Sequence, residues 1–172
     1  MELYIERGFE QTTVAEIAER AGLTARTFFR YFADKREVLF AGSASLQDSL
    51  VTALEDAPES ASPIQAAWAA LEAAAAILGE RHEYSRLRQR VITANAELQE
   101  RELIKMASLS AALADGLRRR GVTDPDASLA AAVGIAVLRV AFERWVSGSA
   151  KCTLSAVMRE SFDQVKVLTS AG

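Results

Sequence analysis

The residues of this chain best equipped for chemistry lie between Thr24 and Arg36, and that chemistry is recognition. Arg26, Arg30, Lys35 and Arg36 stand there against one acid, Asp34, a local charge of +3 in a 172-residue chain of net charge −3. Thr24, Thr27 and Tyr31 add hydroxyls. Guanidinium, ammonium and hydroxyl groups at this density suit phosphate oxygens and base edges. The acidic total does not oppose this, because DNA binding needs only a local positive field. The competing reading makes RTFFRYF a plain core helix with a solvated basic side. The turn and caps described next coincide with the basic face and favour DNA.

Those side chains need a short helix to carry them, and the flanking residues supply one. Val14, Ile17, Ala18 and Ala21 recur at helical spacing, with Glu16, Glu19 and Arg20 outward. Thr13 and Glu16 fit a capping box. Gly22 falls where a tight turn needs positive φ. Thr24 caps a second helix running to about Phe32, and Phe28 and Phe32, four apart, share its inner face. Asp34 with Glu37 starts a third helix. Helix, Gly-containing turn and helix form the helix-turn-helix pattern, whose second helix enters the major groove.

Catalytic constellations are sparse. His82, the one His, sits in GERHEY beside Glu80 and Glu83, reads as a solvated loop residue, and is too little for a metal site. Cys152, the one Cys, allows no intrachain disulfide and reads as structural or incidental. There is no Ser/His/acid or Cys/His arrangement, no Gly-rich phosphate loop and no Glu-x-x-His pair. The expectation is therefore no enzyme, no cofactor and no metal. No apolar run of about 18 residues is expected, so no membrane span. The N-terminus shows no basic leader with an apolar stretch, so no secretion signal, and a cytoplasmic protein is expected.

The stretch GFEQTTVAEIAERAGLTARTFFRYFADKREVLF resembles the DNA-binding domain of the tetracycline-repressor (TetR) family. The match spans G-F-x-x-T-T-V-x-x-I-A-x-x-A-G, T-F-x-R-Y-F and K-x-x-V-L-F, about the first 45 residues. The resemblance implies that Thr13, Thr24, Ala25, Arg26, Thr27, Phe29, Tyr31 and Lys35 lie at the DNA surface. Tyr31 and Lys35 would hold phosphates, and Arg26 and Thr27 would read bases. Phe29 stands where the family commonly has Tyr, so a phosphate-bonding hydroxyl is lost there. The resemblance also implies a first helix longer than MELYIER by roughly two or three turns at 3.6 residues per turn.

The rest reads as helix throughout, with no convincing strand and no repeat. The expected fold is all-α, with an N-terminal three-helix helix-turn-helix DNA-binding domain over residues 1–42. A larger helical ligand-binding and dimerisation domain follows over 43–172. Val38, Leu39, Leu46, Leu50 and Leu54 predict one long helix from Lys35 to about Asp56, with Gly42 and Ser43 inside it. DAPESAS is the clearest loop, after which Ser62, Pro63 and Gln65 start the next helix.

Further helices are expected over 64–78, 84–92, 94–120, 124–146 and 153–168. The last two carry surplus apolar surface. Val133, Val137, Val140, Leu154, Val157, Val165 and Leu168 are expected at a dimer interface, a helical pairing that the resemblance also implies. Trp68, Leu71, Tyr84, Arg88, Ile92, Asn95, Phe142 and Trp145 are expected to line an effector cavity. ELQERELIKMASLSAAL and AFERW are similar to bodies of regulators that sense acyl-CoA-like or other lipophilic compounds, a looser likeness than the head's. The expected function is a ligand-responsive regulator, a repressor binding palindromic double-stranded DNA as a homodimer and released by a mainly apolar small molecule. The alternative is a helical adaptor that dimerises without an effector.

Overall fold

The computed structural model describes residues 1–148 and 151–170 and is all-α, with no strand among the described residues. The head comprises α1 (Glu2–Arg7), α2 (Val14–Arg20), α3 (Ala25–Tyr31) and a 3₁₀ segment, Lys35–Phe40. The body comprises α4 (Ser43–Glu55), α5 (Pro63–Gly79), α6 (His82–Thr93), α7 (Ala96–Arg119), α8 (Asp124–Ser147) and α9 (Leu154–Ser170).

Local chemistry sets the helix ends of the head. The Thr13–Glu16 capping box forms in full at the start of α2. Its end is a Schellman turn: Leu23 N–H reaches Ala18 O at 2.8 Å, Gly22 N–H reaches Glu19 O at 2.9 Å, and Gly22 has φ +69°. Thr24 caps α3 by accepting from Thr27 N–H at 3.1 Å. The expected single helix from Lys35 to Asp56 is two elements. The 3₁₀ segment ends at Phe40, Ala41 and Gly42 form a turn, and α4 begins at Ser43. Gly42, expected inside the helix, stands at the break.

The body core joins Leu46, Leu50 and Leu54 of α4 to the alanine face of α5, to Leu109, Leu113 and Leu117 of α7, and to α8 and α9. Small residues let α8 approach its neighbours: a Cβ on Gly134 would lie 2.6 Å from Leu71 Cδ1. By length and composition α8 is apolar enough to cross a membrane, against the expectation that no stretch reaches that threshold. Its charges gather towards its ends, leaving an Ala- and Val-rich middle. That middle is packed, with Ala127, Ala131, Ile135, Leu138 and Ala141 all in the core.

A second cluster joins the head to the body. Tyr4, Phe9, Leu39 and Phe40 of the head pack with Val91 and Ile92 of α6 and Leu98 of α7. Tyr4 Oη donates to Lys35 O at 2.6 Å. Burial, with the Asp34 charge adding to it, raises the Tyr4 phenol above its ordinary pKa, so it remains a donor.

Candidate functional site

The outer face of α3 is the first candidate site. Ala25, Arg26, Phe29, Arg30 and Tyr31 are exposed there, while Phe28 is buried and forms an edge contact with Phe29 at 5.5 Å. The Arg30 guanidinium lies over the Tyr31 ring, 4.9 Å from its centre, and Nη2 donates to Tyr31 Oη at 2.8 Å. The head's ion pairs use other arginines: Arg7 with Glu16, Arg20 with Glu2 and Glu6, Arg36 with Asp34. Arg26 is exposed on the same helix as the exposed Phe29 and Tyr31 and takes part in none of these ion pairs.

The hydroxyls expected at this face are partly committed. Thr13 accepts from Glu16 N–H at 3.3 Å, and Thr24 and Thr27 pair their hydroxyls at 3.0 Å as well as through the cap. Lys35, expected to hold phosphate, is engaged within the head. Its ammonium donates to Phe9 O at 2.8 Å and to Glu10 O and Thr12 O, each at 3.1 Å. It also sits 4.4 Å from the centre of the Phe9 ring. Three carbonyls exhaust an ammonium's three donors, so Lys35 ties the α1–α2 loop.

The second candidate site is a cavity of about 690 Å³ in the body. Leu46, Leu78, Leu109, Leu138 and Phe142 contribute apolar wall, and Arg88, Gln89, Glu102 and Lys105 are among its polar lining. Residues 38–43 also line it, so the cavity touches the segment that leaves the head. Its charged groups are largely paired. Arg88 meets Glu102 at 3.0 Å, Lys105 meets Glu37 at 3.2 Å, and Arg139 meets Glu143 at 3.2 Å. A mainly apolar space with a limited set of polar groups in its wall suits a small molecule of matching polarity.

Of the eight residues expected here, Tyr84, Arg88 and Phe142 line the cavity. Trp68 instead stacks on Phe162, with ring centres 4.4 Å apart, between α5 and α9. Leu71 is fully buried in the body core. Ile92 belongs to the head–body cluster, and Asn95 precedes α7 with Nδ2 donating to Val91 O at 2.6 Å. Trp145 is core, its indole N–H donating to Cys152 O at 2.9 Å.

His82, expected in a loop, begins α6 and packs edge-on against Trp145. Its Nε2–H donates to Trp145 O at 3.0 Å, since a carbonyl only accepts. Gln89, Glu102 and Lys105, which line the cavity, were missed, as was the Glu37 carboxylate that pairs with Arg101 and Lys105. The i, i+4 spacing of Arg101 and Lys105 marked a common face, but nothing local pointed to Glu37 as their shared partner.

The residues expected at a dimer interface divide in two. Val137, Leu154 and Val157 are buried within the protomer, because α9 packs on α5 and α8. They belong to the protomer's own core. Val133 and Val165 are half-buried, while Val140 and Leu168 are exposed, as are Leu129 and Val167 on the same two helices.

A recognition helix held out by a capped turn, on a head that shares a core with a hollow helical body, is the build of a DNA-binding transcriptional regulator. Comparison with known proteins fixes the family. Residues 1–41 match the model for bacterial regulatory proteins of the tetR family. Residues 61–168, more than half the chain, match the model for the MftR C-terminal domain.

The HTH-type transcriptional regulator TcmR of Streptomyces glaucescens is 40% identical over 73 residues, which span 42% of this chain but only 32% of TcmR. The TetR-family regulator PfmR from Thermus thermophilus is 25% identical with a TM-score of 0.52, over 94% of this chain and 91% of PfmR. Thermus thermophilus FadR, solved with lauroyl-CoA, shares the fold at 21% identity and a TM-score of 0.55, over 95% of this chain and 87% of FadR. The chain belongs to the TetR family of transcriptional regulators.

Proposed function

We propose that this regulator is a cytoplasmic repressor that grips a palindromic operator as a homodimer and lets go when a mainly apolar small molecule enters the body cavity. The observation that carries the reading is a shared wall. Leu39 and Phe40 line the cavity and also belong to the cluster that holds the head, so an occupant meets residues on which the head rests. The two recognition helices would sit about 34–36 Å apart, one turn of B-DNA. An occupant that prefers a different head position shifts that spacing and releases the operator, to the extent of its differential affinity.

The exposed apolar groups Leu129, Val140, Val167 and Leu168 on α8 and α9 support pairing with a second copy. The FadR ligand, lauroyl-CoA, supports an effector with an elongated apolar part.

At the DNA face, Arg26 and Thr27 are assigned to bases, Tyr31 to phosphate, with Thr13, Thr24, Ala25 and Phe29 bordering the contact. The test is fluorescence anisotropy with DNA from the flanks of the protein's own gene. Arg26→Ala combined with Tyr31→Ala should weaken binding by at least tenfold, since one good base contact is worth about 1–3 kcal/mol. The dimer and the helical content should stay unchanged. Equal affinity of the double variant and the wild type would refute the assignment of this face.

A further inference from the structure

We propose that Arg88 is the residue through which cavity occupancy reaches the head, and that effective occupants are apolar molecules ending in a hydrogen-bond acceptor such as a carboxylate. The proposal rests on the reading of the cavity as the effector site. It begins from an orphan carbonyl. A helix end leaves its last carbonyls without backbone partners, and the 3₁₀ segment stops at Phe40, before the Ala41–Gly42 turn. Leu39 O is satisfied from α6, by Arg88 Nε at 2.8 Å. The same guanidinium packs on the Phe40 ring, 4.8 Å from its centre, and Nη1 donates to Glu102 at 3.0 Å. Arg88 therefore lines the cavity and holds the backbone between the recognition helix and α4.

The surrounding network is poised to rearrange. Glu102 also accepts from Gln89 Nε2 at 3.2 Å, which turns the other amide atom, Gln89 Oε1, to a buried place with no partner. An unpaired buried amide oxygen is costly, so an arrangement that gives it a donor is favoured. On the other side of the 3₁₀ segment, Glu37 receives Arg101 Nε at 2.6 Å and Lys105 Nζ at 3.2 Å. An occupant offering an acceptor in this part of the cavity competes with Leu39 O for Arg88. When it wins, the 3₁₀ segment loses its end tie, and the apolar cluster with Val91 and Ile92 alone holds the head to α6. A purely apolar occupant, or one ending in a cation, fills the space without drawing Arg88 away.

Hydrogen exchange of the full chain, read by mass spectrometry on peptides covering residues 35–43, tests this. The variants are Arg88→Met and, in case the first folds poorly, Arg88→Lys, which keeps a charge for Glu102 but not the fork. Arg159→Met, which removes a surface pair with Glu72, is the control. Without ligand, the Arg88 variants should exchange roughly tenfold faster than wild type over 35–43, the size of one hydrogen bond's net contribution. Exchange equal to wild type in both variants overturns the tie.

The probes are decanoate and decylamine, each scored for displacing the apolar dye 1-N-phenylnaphthylamine. Decanoate should accelerate exchange over 35–43 in wild type and in Arg159→Met, and add nothing in the Arg88 variants while still displacing the dye. Decylamine should displace the dye without accelerating exchange. Equal acceleration by decanoate in wild type and variants overturns the coupling, and failure of decanoate to displace bound dye overturns the acceptor class. If the dye itself does not bind, the cavity reading falls, while the ligand-free comparison still judges the tie.

Discussion

The body closes its core with its own leucines and alanines, whereas the head completes its core with residues of the body. Leu50, Leu54, Leu113 and Leu117 are sealed among α4, α5, α7, α8 and α9. Tyr4, Phe9, Leu39 and Phe40 have Val91, Ile92 and Leu98 as neighbours, and polar ties do the rest: Lys35 to three carbonyls, Arg88 to Leu39 O, Glu37 to Arg101 and Lys105. A small domain buries too little surface to be secure alone. Leaning on α6 and α7 stabilises the head and makes it sensitive to anything that moves those helices.

Four changes break or sharpen this contrast. Phe9→Ala empties a fully buried site in the head and should cost about 3–5 kcal/mol there. Urea titration followed by tryptophan fluorescence reports the body, since Trp68 and Trp145 both lie in it, and should move little. Exchange in residues 1–40 should rise sharply. An equal shift in both readouts would mean that head and body unfold as one unit. Ile92→Ala, at the joint, should cost about 2–5 kcal/mol and move both readouts together. A loss confined to the body would remove α6 from the support of the head.

Lys35→Met should loosen the α1–α2 loop, leaving three carbonyls short of a donor, with a loss of about 1–3 kcal/mol in head stability. If Lys35→Met weakens DNA binding at unchanged head exchange, the lysine holds phosphate after all.

The smallest effect is acidic. The hydrogen bond from Arg36, with the Arg36 backbone N–H and charge adding to it, holds the Asp34 carboxyl below its ordinary pKa. A carboxylate lowered in the folded state stabilises above its unfolded pKa, near 3.9, and that gain fades as pH falls through the lowered folded value. Protection factors over 34–40, corrected for the intrinsic pH dependence of amide exchange, should therefore fall below about pH 4, and Asp34→Asn should abolish that fall.

The head was legible in the sequence because its signals are local. Thr13 with Glu16, Gly22 and Thr24 each fix backbone within a few residues, and all act as their types require. The break at Ala41–Gly42 was hidden because Leu39 and Leu46 stay in helical phase across it. Cavity and interface residues were legible only in part, because helical periodicity shows that a face is apolar but not what covers it. Leu154 and Val157 meet α5 and α8 of their own chain, and Trp68 meets Phe162. Leu168, from the same stripe, is left exposed. Leu39 is separated from Arg88 by 49 residues, and Arg101 and Lys105 from Glu37 by 64 and 68, beyond any local pattern.

The measurement that tests the central claim most directly is the salt dependence of wild-type binding to DNA from the flanks of its own gene. A head that grips through arginine and hydroxyl contacts to phosphate should bind tightly at low salt. Affinity should then fall steeply between about 50 and 200 mM salt, as counterion release requires. Absence of binding at low salt, or an affinity indifferent to salt, would contradict the account and leave a helical adaptor built on the exposed faces of α8 and α9.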